Sequence, residues 1–137
     1  MSYQDNPNSG KIESLLKHAE SKWDKDDYQE AIKIYNKILE INPHDIWSYW
    51  ERALIKKKKG DWEGAFKDLN RLLEINASHS FAYYQRAVIK EHFKDKRGAE
   101  SDYAKASEYR EKEMKIFKEQ QTKRLQMSSK RNHPEVE

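Results

Sequence analysis

The sequence predicts an all-α protein made of repeated helix pairs, and three observations carry that prediction. Charged residues make up 37% and hydrophobic residues 36% of its 137 positions, with four glycines and three prolines, a balance that suits exposed amphipathic helices better than a sandwich of short strands. The segment DDYQEAIKIYNKILEIN at residues 26–42 aligns without a gap on GDWEGAFKDLNRLLEIN at residues 60–76, with eight of seventeen positions identical at an offset of 34. Within the first segment Ala31, Ile34, Tyr35, Ile38 and Leu39 form an i, i+3, i+4, i+7, i+8 stripe, the mark of one apolar helix face.

The elements follow in order. Residues 1–11 are polar and are expected to be unstructured. Three units, residues 12–45, 46–79 and 80–113, cover about three quarters of the chain. Each holds an early helix that ends near Asp26, Gly60 or Lys94 and a later helix that starts near Asp27, Asp61 or Asp95, whose carboxylates suit the N-cap position. Glu30 follows Asp27 at capping-box spacing, and Pro43 stops the first pair. A shift of 34 twice over places Ala99 under Ala65 and Ala31, and Ala87 under Ala53 and Ala19. Alanine at a helix crossing permits close approach of two helices. After Ala106 the sequence EYREKEMKIFKEQQTKRLQ has no breaker and carries Glu108 to Lys112, Glu111 to Lys115 and Glu119 to Lys123 at i, i+4. A C-terminal helical extension over residues 108–126 is therefore predicted to continue the preceding helix, with Met114, Phe117 and Leu125 available to cover the last repeat. Residues 127–137 are expected to form a disordered tail.

Composition also narrows function. The net charge of +3 is the residue of 27 basic and 24 acidic side chains, so no dominant basic field points to nucleic acid. Without cysteine there is no disulfide framework, thiol catalysis or thiolate metal site, which fits a reducing cytoplasm. No apolar run approaches the roughly 20 residues of a bilayer span.

The small residues Ala19, Ala31 and Pro43, then Ala53, Gly60 and Ala65, then Ala87, Ala99 and Ala106, together with Tyr28, Trp62, Tyr35 and Tyr103, resemble the tetratricopeptide repeat pattern. The departures are Ala77 in the place of Pro43 and Lys96 in the place of Tyr28 and Trp62. The resemblance implies a right-handed α-solenoid of three helix-turn-helix repeats plus the long C-terminal helix, with the first helix of each pair lining a concave groove.

On the helix that carries DIWSYWERA, Tyr49 shares a direction with Arg52, Ala53 and Lys56, whereas Trp47, Trp50 and Leu54 lie on another arc. Tyr49 therefore belongs to the packing between helices. Phe81, Tyr84 and Val88 repeat the second arc 34 residues later, and the resemblance turns all six side chains into the groove. Leu16 at the matching place, Trp23 further along, and Glu51 and Gln85 complete the candidate peptide-binding set, with Glu13 and Glu20 giving the strip an acidic edge. Exposed Trp and Tyr are the residue types that dominate interface energetics. The competing reading packs these rings on neighbouring helices or on the protein's own tail.

The family subclass that clamps C-terminal carboxylates of chaperones places basic and amide side chains where this chain has Leu16, Glu20, Glu51, Phe81 and Gln85. Chaperone tails are therefore disfavoured as partners. The run KKKK at residues 56–59 is weighed as a phosphate and stacking platform, but its place at a helix C-terminus explains it through the helix dipole. The histidines at 18, 44, 79, 92 and 133 show no metal-ligand spacing, and no nucleophile motif or glycine-rich phosphate loop appears. The sequence reads as a cytoplasmic adaptor or scaffold, not an enzyme, without cofactor or metal, that binds a peptide or helical segment through apolar anchors. A self-associating assembly module is the alternative reading, with the groove or the C-terminal helix pairing two copies, and weak nucleic-acid binding is third.

Overall fold

The computed structural model describes residues 7–132, and all of their regular structure is helical. The helices are α1 Ser9–Asp24, α2 Tyr28–Ile41, α3 Ile46–Lys58, α4 Trp62–Ile75, α5 Ser80–His92 and α6 Lys96–Asn132. Each packs chiefly on its predecessor and successor in the chain, which is the contact pattern of a solenoid.

The period of 34 is written into the backbone. Asp26, Gly60 and Lys94 take positive φ of 57°, 85° and 67°, and each closes its helix with the same pair of bonds. In the first, Asp26 N–H donates to Trp23 O and Asp27 N–H to Lys22 O, the double closure that a left-handed residue allows after a helix. Glycine takes this conformation freely, whereas lysine is strained there. Lys94→Gly should therefore stabilise the protein by about 0.5–1 kcal/mol, after discounting the greater freedom of glycine in the unfolded chain. A urea midpoint that does not rise would contradict this.

The next residue in each turn caps the following helix. Asp27, Asp61 and Asp95 accept from the amides of Glu30, Gly64 and Gly98 at 3.4, 2.9 and 3.0 Å. The two shorter bonds are those to glycine. A Cβ at Gly64 would lie 2.3 Å from the Asp61 carboxylate, and at Gly98 2.1 Å from that of Asp95, so the bare backbone lets the cap close tightly. The capping box at Asp27 is half formed, because Glu30 turns away to Lys33 at 3.0 Å.

Two apolar clusters make the core. Ile12, Ala19, Ala31, Ile34, Tyr35, Ile38 and Ile55 form the first, across α1, α2 and α3. Tyr49, Ala53, Ala65, Leu69, Leu72, Leu73, Ala82, Tyr83, Ile89 and Ala106 form the second, across α3 to α6. Ala19, Ala53 and Ala87 are at most 1% exposed, as expected at helix crossings.

Three boundaries and contacts differ from the sequence expectation. Helix α1 begins at Ser9, inside the segment expected to be unstructured, and Asn8 O receives the Ile12 amide; residues 1–6 lie outside the described part. Helix α6 continues through residues 127–132, because Ser128 and Ser129 are only mildly unfavourable in a helix and no Gly or Pro intervenes before Pro134; residues 133–137 lie outside the described part. Met114, Phe117 and Leu125 do not cover the last repeat: they are 48%, 54% and 71% exposed. The 13-residue α5 is too short to accompany the 37-residue α6, so packing ends near Tyr109, which stacks on Tyr83 at 5.6 Å, and Glu113, which accepts from the Ser80 hydroxyl at 3.2 Å. Of the three expected i, i+4 pairs on α6, Glu108 with Lys112 closes, at 2.8 Å.

Candidate functional site

The residues on the second arc of α3 and α5 are set by where these helices begin. Asp45 caps α3 by accepting from Ser48 N–H at 3.0 Å, and His79 takes the same place in α5, its Nδ1 accepting from Ala82 N–H at 3.0 Å. Tyr49 and Tyr83, one turn in, donate back to Pro43 O and Ala77 O at 2.9 and 2.7 Å, tying each helix to the turn before it. Tyr49 is thus held in the core at 9% exposure, while Trp47 two residues earlier stands 48% exposed. Phe81 and Tyr84 are 58% and 50% exposed.

These rings border two adjoining clefts. The first, of about 350 Å³, is lined by Ile46, Trp47, Trp50, His79 and Phe81. The second, of about 380 Å³, is lined by Phe81, Tyr84, Gln85, Tyr103 and Arg110 among others, so Phe81 forms a wall of both. Trp50 is half-buried, packed against the second core cluster and 5.4 Å from the His79 ring. Leu54 and Val88 are half-buried and border neither cleft. Leu16 and Trp23 pack against the first core cluster, Trp23 meeting Tyr28 edge-on at 5.2 Å. The structure therefore brings together Trp47, Trp50, Phe81, Tyr84 and Gln85, and places Leu16, Trp23 and Glu51 at a separate junction of α1, α2 and α3. Ile46, His79, Tyr103 and Arg110 were missed; their positions beside repeat boundaries or on the partner helix of the third unit were the available signal.

His79 gives the site a titratable element. Burial, opposed by a hydrogen bond with its own backbone and by the charge of Glu113, holds its pKa below the ordinary imidazole value. Only the neutral ring can accept at Nδ1, and protonation would also set a cation at a helix N-terminus. A depressed folded-state pKa means that this stabilisation is present above the unfolded pKa of about 6.5 and is lost as pH falls below it toward the folded value. His79→Asn keeps an acceptor at the cap without the charge. The wild type should lose more melting temperature than His79→Asn between pH 7 and pH 5; parallel losses would contradict the assignment.

Behind the aromatic face lies a charged ladder with the repeat period. Arg52 donates through Nε and Nη2 to Asp68 at 2.9 and 2.6 Å and through Nη1 to Asn36 at 2.7 Å. Arg86 does the same 34 residues on, to Asp102 at 2.7 and 2.8 Å and to Asn70 at 3.0 Å. Lys56 and Lys90 add ion pairs to the same carboxylates at 3.1 and 2.9 Å. Each Arg clamps its own unit to the helix of the unit before, so the ladder fixes how successive pairs stack. Burial alone would raise the Asp102 carboxyl, but hydrogen bonds from Arg86 and Lys90 hold it below the usual range.

The KKKK run is largely spoken for by the fold. Lys56 pairs with Asp68, Lys57 donates to Gln85 at 2.8 Å, Lys58 lies 5.0 Å over the Tyr28 ring, and Lys59 closes the helix. It offers no open row of cations to a phosphate backbone. Among the described residues no group of side chains is arranged to hold a metal ion.

Stacked helix pairs, 34-residue closure and small-residue crossings define a tetratricopeptide repeat solenoid, and comparisons with known proteins agree. The chain belongs to the Iml2/Tetratricopeptide repeat protein 39 family, whose sequence profile matches residues 7–136. No curated protein matches it closely enough to serve as a relative. Among solved structures, MamA is similar at TM-score 0.68 and 21% identity, over 82% of this chain and 75% of that one. The TPR2B domain of yeast Sti1, solved in a complex with pHsp70, gives 0.68 and 24% over 74% and 81%. PcrH, solved with the chaperone binding region of PopD, gives 0.70 and 15% over 76% and 78%. At these identities the likeness speaks for the fold.

Proposed function

We propose that this protein is an adaptor that holds a peptide or helical segment of a partner protein against the aromatic face of α3 and α5. The observation that carries the reading is the run of Trp47, Phe81 and Tyr84, each about half exposed, around two adjoining clefts. A large ring left in water forgoes up to about 1.5–3 kcal/mol of burial, and a contiguous apolar patch on a folded surface marks an interaction site. Structural neighbours with this fold were solved holding partner segments, which supports the class of function. The chemistry of the face favours apolar anchors. An acidic chaperone tail would meet Leu16, Glu20, Glu51, Phe81 and Gln85 instead of a cationic clamp. The adaptor reading is non-catalytic, and no helix among the described residues is long and apolar enough to cross a membrane. A cytoplasmic setting suits both the fold class and the absence of cysteine.

One observation favours self-association as a second reading: Met114, Ile116, Phe117, Leu125 and Met127 are all exposed on the free part of α6. At 100° per residue, however, Met114, Phe117 and Leu125 share an arc of about 80° while Ile116 and Met127 face the opposite side, so no single seam forms for a coiled coil. Light scattering over a concentration series, with acrylamide quenching of tryptophan, separates the two readings. The adaptor is a monomer with Trp47 open to quencher; a concentration-dependent dimer that shields it would support self-association.

A further inference from the structure

The periodicity that builds the fold also shows where it is broken. Between the second and third units Lys57 donates to Gln85 at 2.8 Å. Counting back 34 residues, the same two places are held by Trp23 and Glu51. A cation facing an amide has become an indole facing a carboxylate. Trp23 lies close enough to favour the ionised form of Glu51, yet burial outweighs this and, with the charge of Glu20, raises the Glu51 pKa. Tyr35 is fully buried at the same junction, with Glu51 and Glu20 both acting on its hydroxyl. Neither that hydroxyl nor the Trp23 indole N–H has a hydrogen-bond partner, although both are buried.

These are two neutral donors beside a carboxylate. A hydrogen bond from either to Glu51 would satisfy a donor and still leave the carboxylate's charge in place. No basic side chain among the described residues forms an ion pair with Glu51 or Glu20. Lys58, the cation over the Trp23 ring at 6.0 Å, is engaged with Tyr28. A half-buried carboxylate without a counter-ion is costly, and the cost is relieved when a cation arrives with a bound partner.

We infer that the junction of α1, α2 and α3, where Glu51 and Glu20 stand unpaired beside Trp23 and Tyr35, receives a cationic side chain of the bound segment. An arginine fits best. Its planar guanidinium matches a carboxylate in two-point fashion, where a lysine ammonium would meet it as a point charge. This rests on the adaptor reading and sharpens it: the partner carries apolar anchors for the α3 and α5 clefts and a basic residue at the α1 end.

The test uses the full chain and two peptides, acetyl-Leu-Leu-Ser-Arg-Leu-Leu-amide and the same peptide with neutral, nearly isosteric citrulline for arginine. Binding is followed by NMR through the four tryptophan indole N–H signals, assigned with single Trp→Phe variants. The arginine peptide should bind about tenfold more tightly than the citrulline peptide and shift the Trp23 signal. In Glu51→Gln, which places at 51 the residue found at 85, the preference should vanish, and in Glu20→Gln it should shrink. Equal affinities in the wild type, or a preference that survives Glu51→Gln, would overturn the inference while shifts at Trp47 and Trp50 left the groove reading intact. Silence of Trp47 and Trp50 with both peptides would overturn the groove reading and this inference with it.

Discussion

Asp102→Ala should lower the free energy of unfolding by about 3 kcal/mol. The carboxylate is 1% exposed and receives two bonds from Arg86 at 2.7 and 2.8 Å and one ion pair from Lys90 at 2.9 Å. Removing it strands two cations that are themselves largely covered, with side chains 17% and 19% exposed. The loss is therefore of the kind that follows from breaking one side of a buried network, and not the small change typical of surface pairs. Asp102→Asn keeps the shape and isolates the charge; it should recover only part of the loss. The direction with pH is fixed by the lowered carboxyl pKa. This contribution is present above the unfolded aspartate pKa of about 3.9 and disappears as pH falls through the folded value, so wild type and Asp102→Asn should converge in strong acid. A urea denaturation series at neutral and acid pH checks both statements. A change below about 1 kcal/mol at pH 7 would mean that the ladder does not fix the stacking of the repeats.

Much of the fold was legible because a period of 34 repeats every local decision. The turn positions 26, 60 and 94, the caps at Asp27, Asp61 and Asp95, and the alanine crossings were all readable, since each depends on a residue and its near neighbours. The ladder was not read, although Arg52 and Arg86, Asp68 and Asp102, and Asn36 and Asn70 all keep the offset. In a chain with 37% charged residues, a pair sixteen apart stands out only once the turn between its helices is known.

The aromatic face was legible in direction but not in depth. Helical angle separated Tyr49 from Trp47, because backbone periodicity alone decides which way each points. It did not show that His79 would come within 5.4 Å of Trp50, or that Trp23 would pack on Tyr28 and the first core cluster, since both depend on side chains of other helices. The role expected of Met114, Phe117 and Leu125 required a neighbour of matching length, and periodicity says nothing about where the neighbour ends.

The triple variant Trp47→Ala, Phe81→Ala, Tyr84→Ala should remain folded and lose its partner. Each ring is about half exposed, so its truncation removes only part of a side chain's burial, about 0.5–1 kcal/mol of stability apiece. Trp50 is left intact because it also packs against the second core cluster. Aromatic anchors at the centre of an interface are each worth 2 kcal/mol or more on truncation, so together their loss should weaken binding by at least about 100-fold. The most direct test of the adaptor reading is quantitative capture of cellular proteins by wild type and by this variant, each shown by circular dichroism to be folded. The wild type should retain a set of proteins that the variant loses; recovery of the same proteins in the same amounts by both would overturn the adaptor reading.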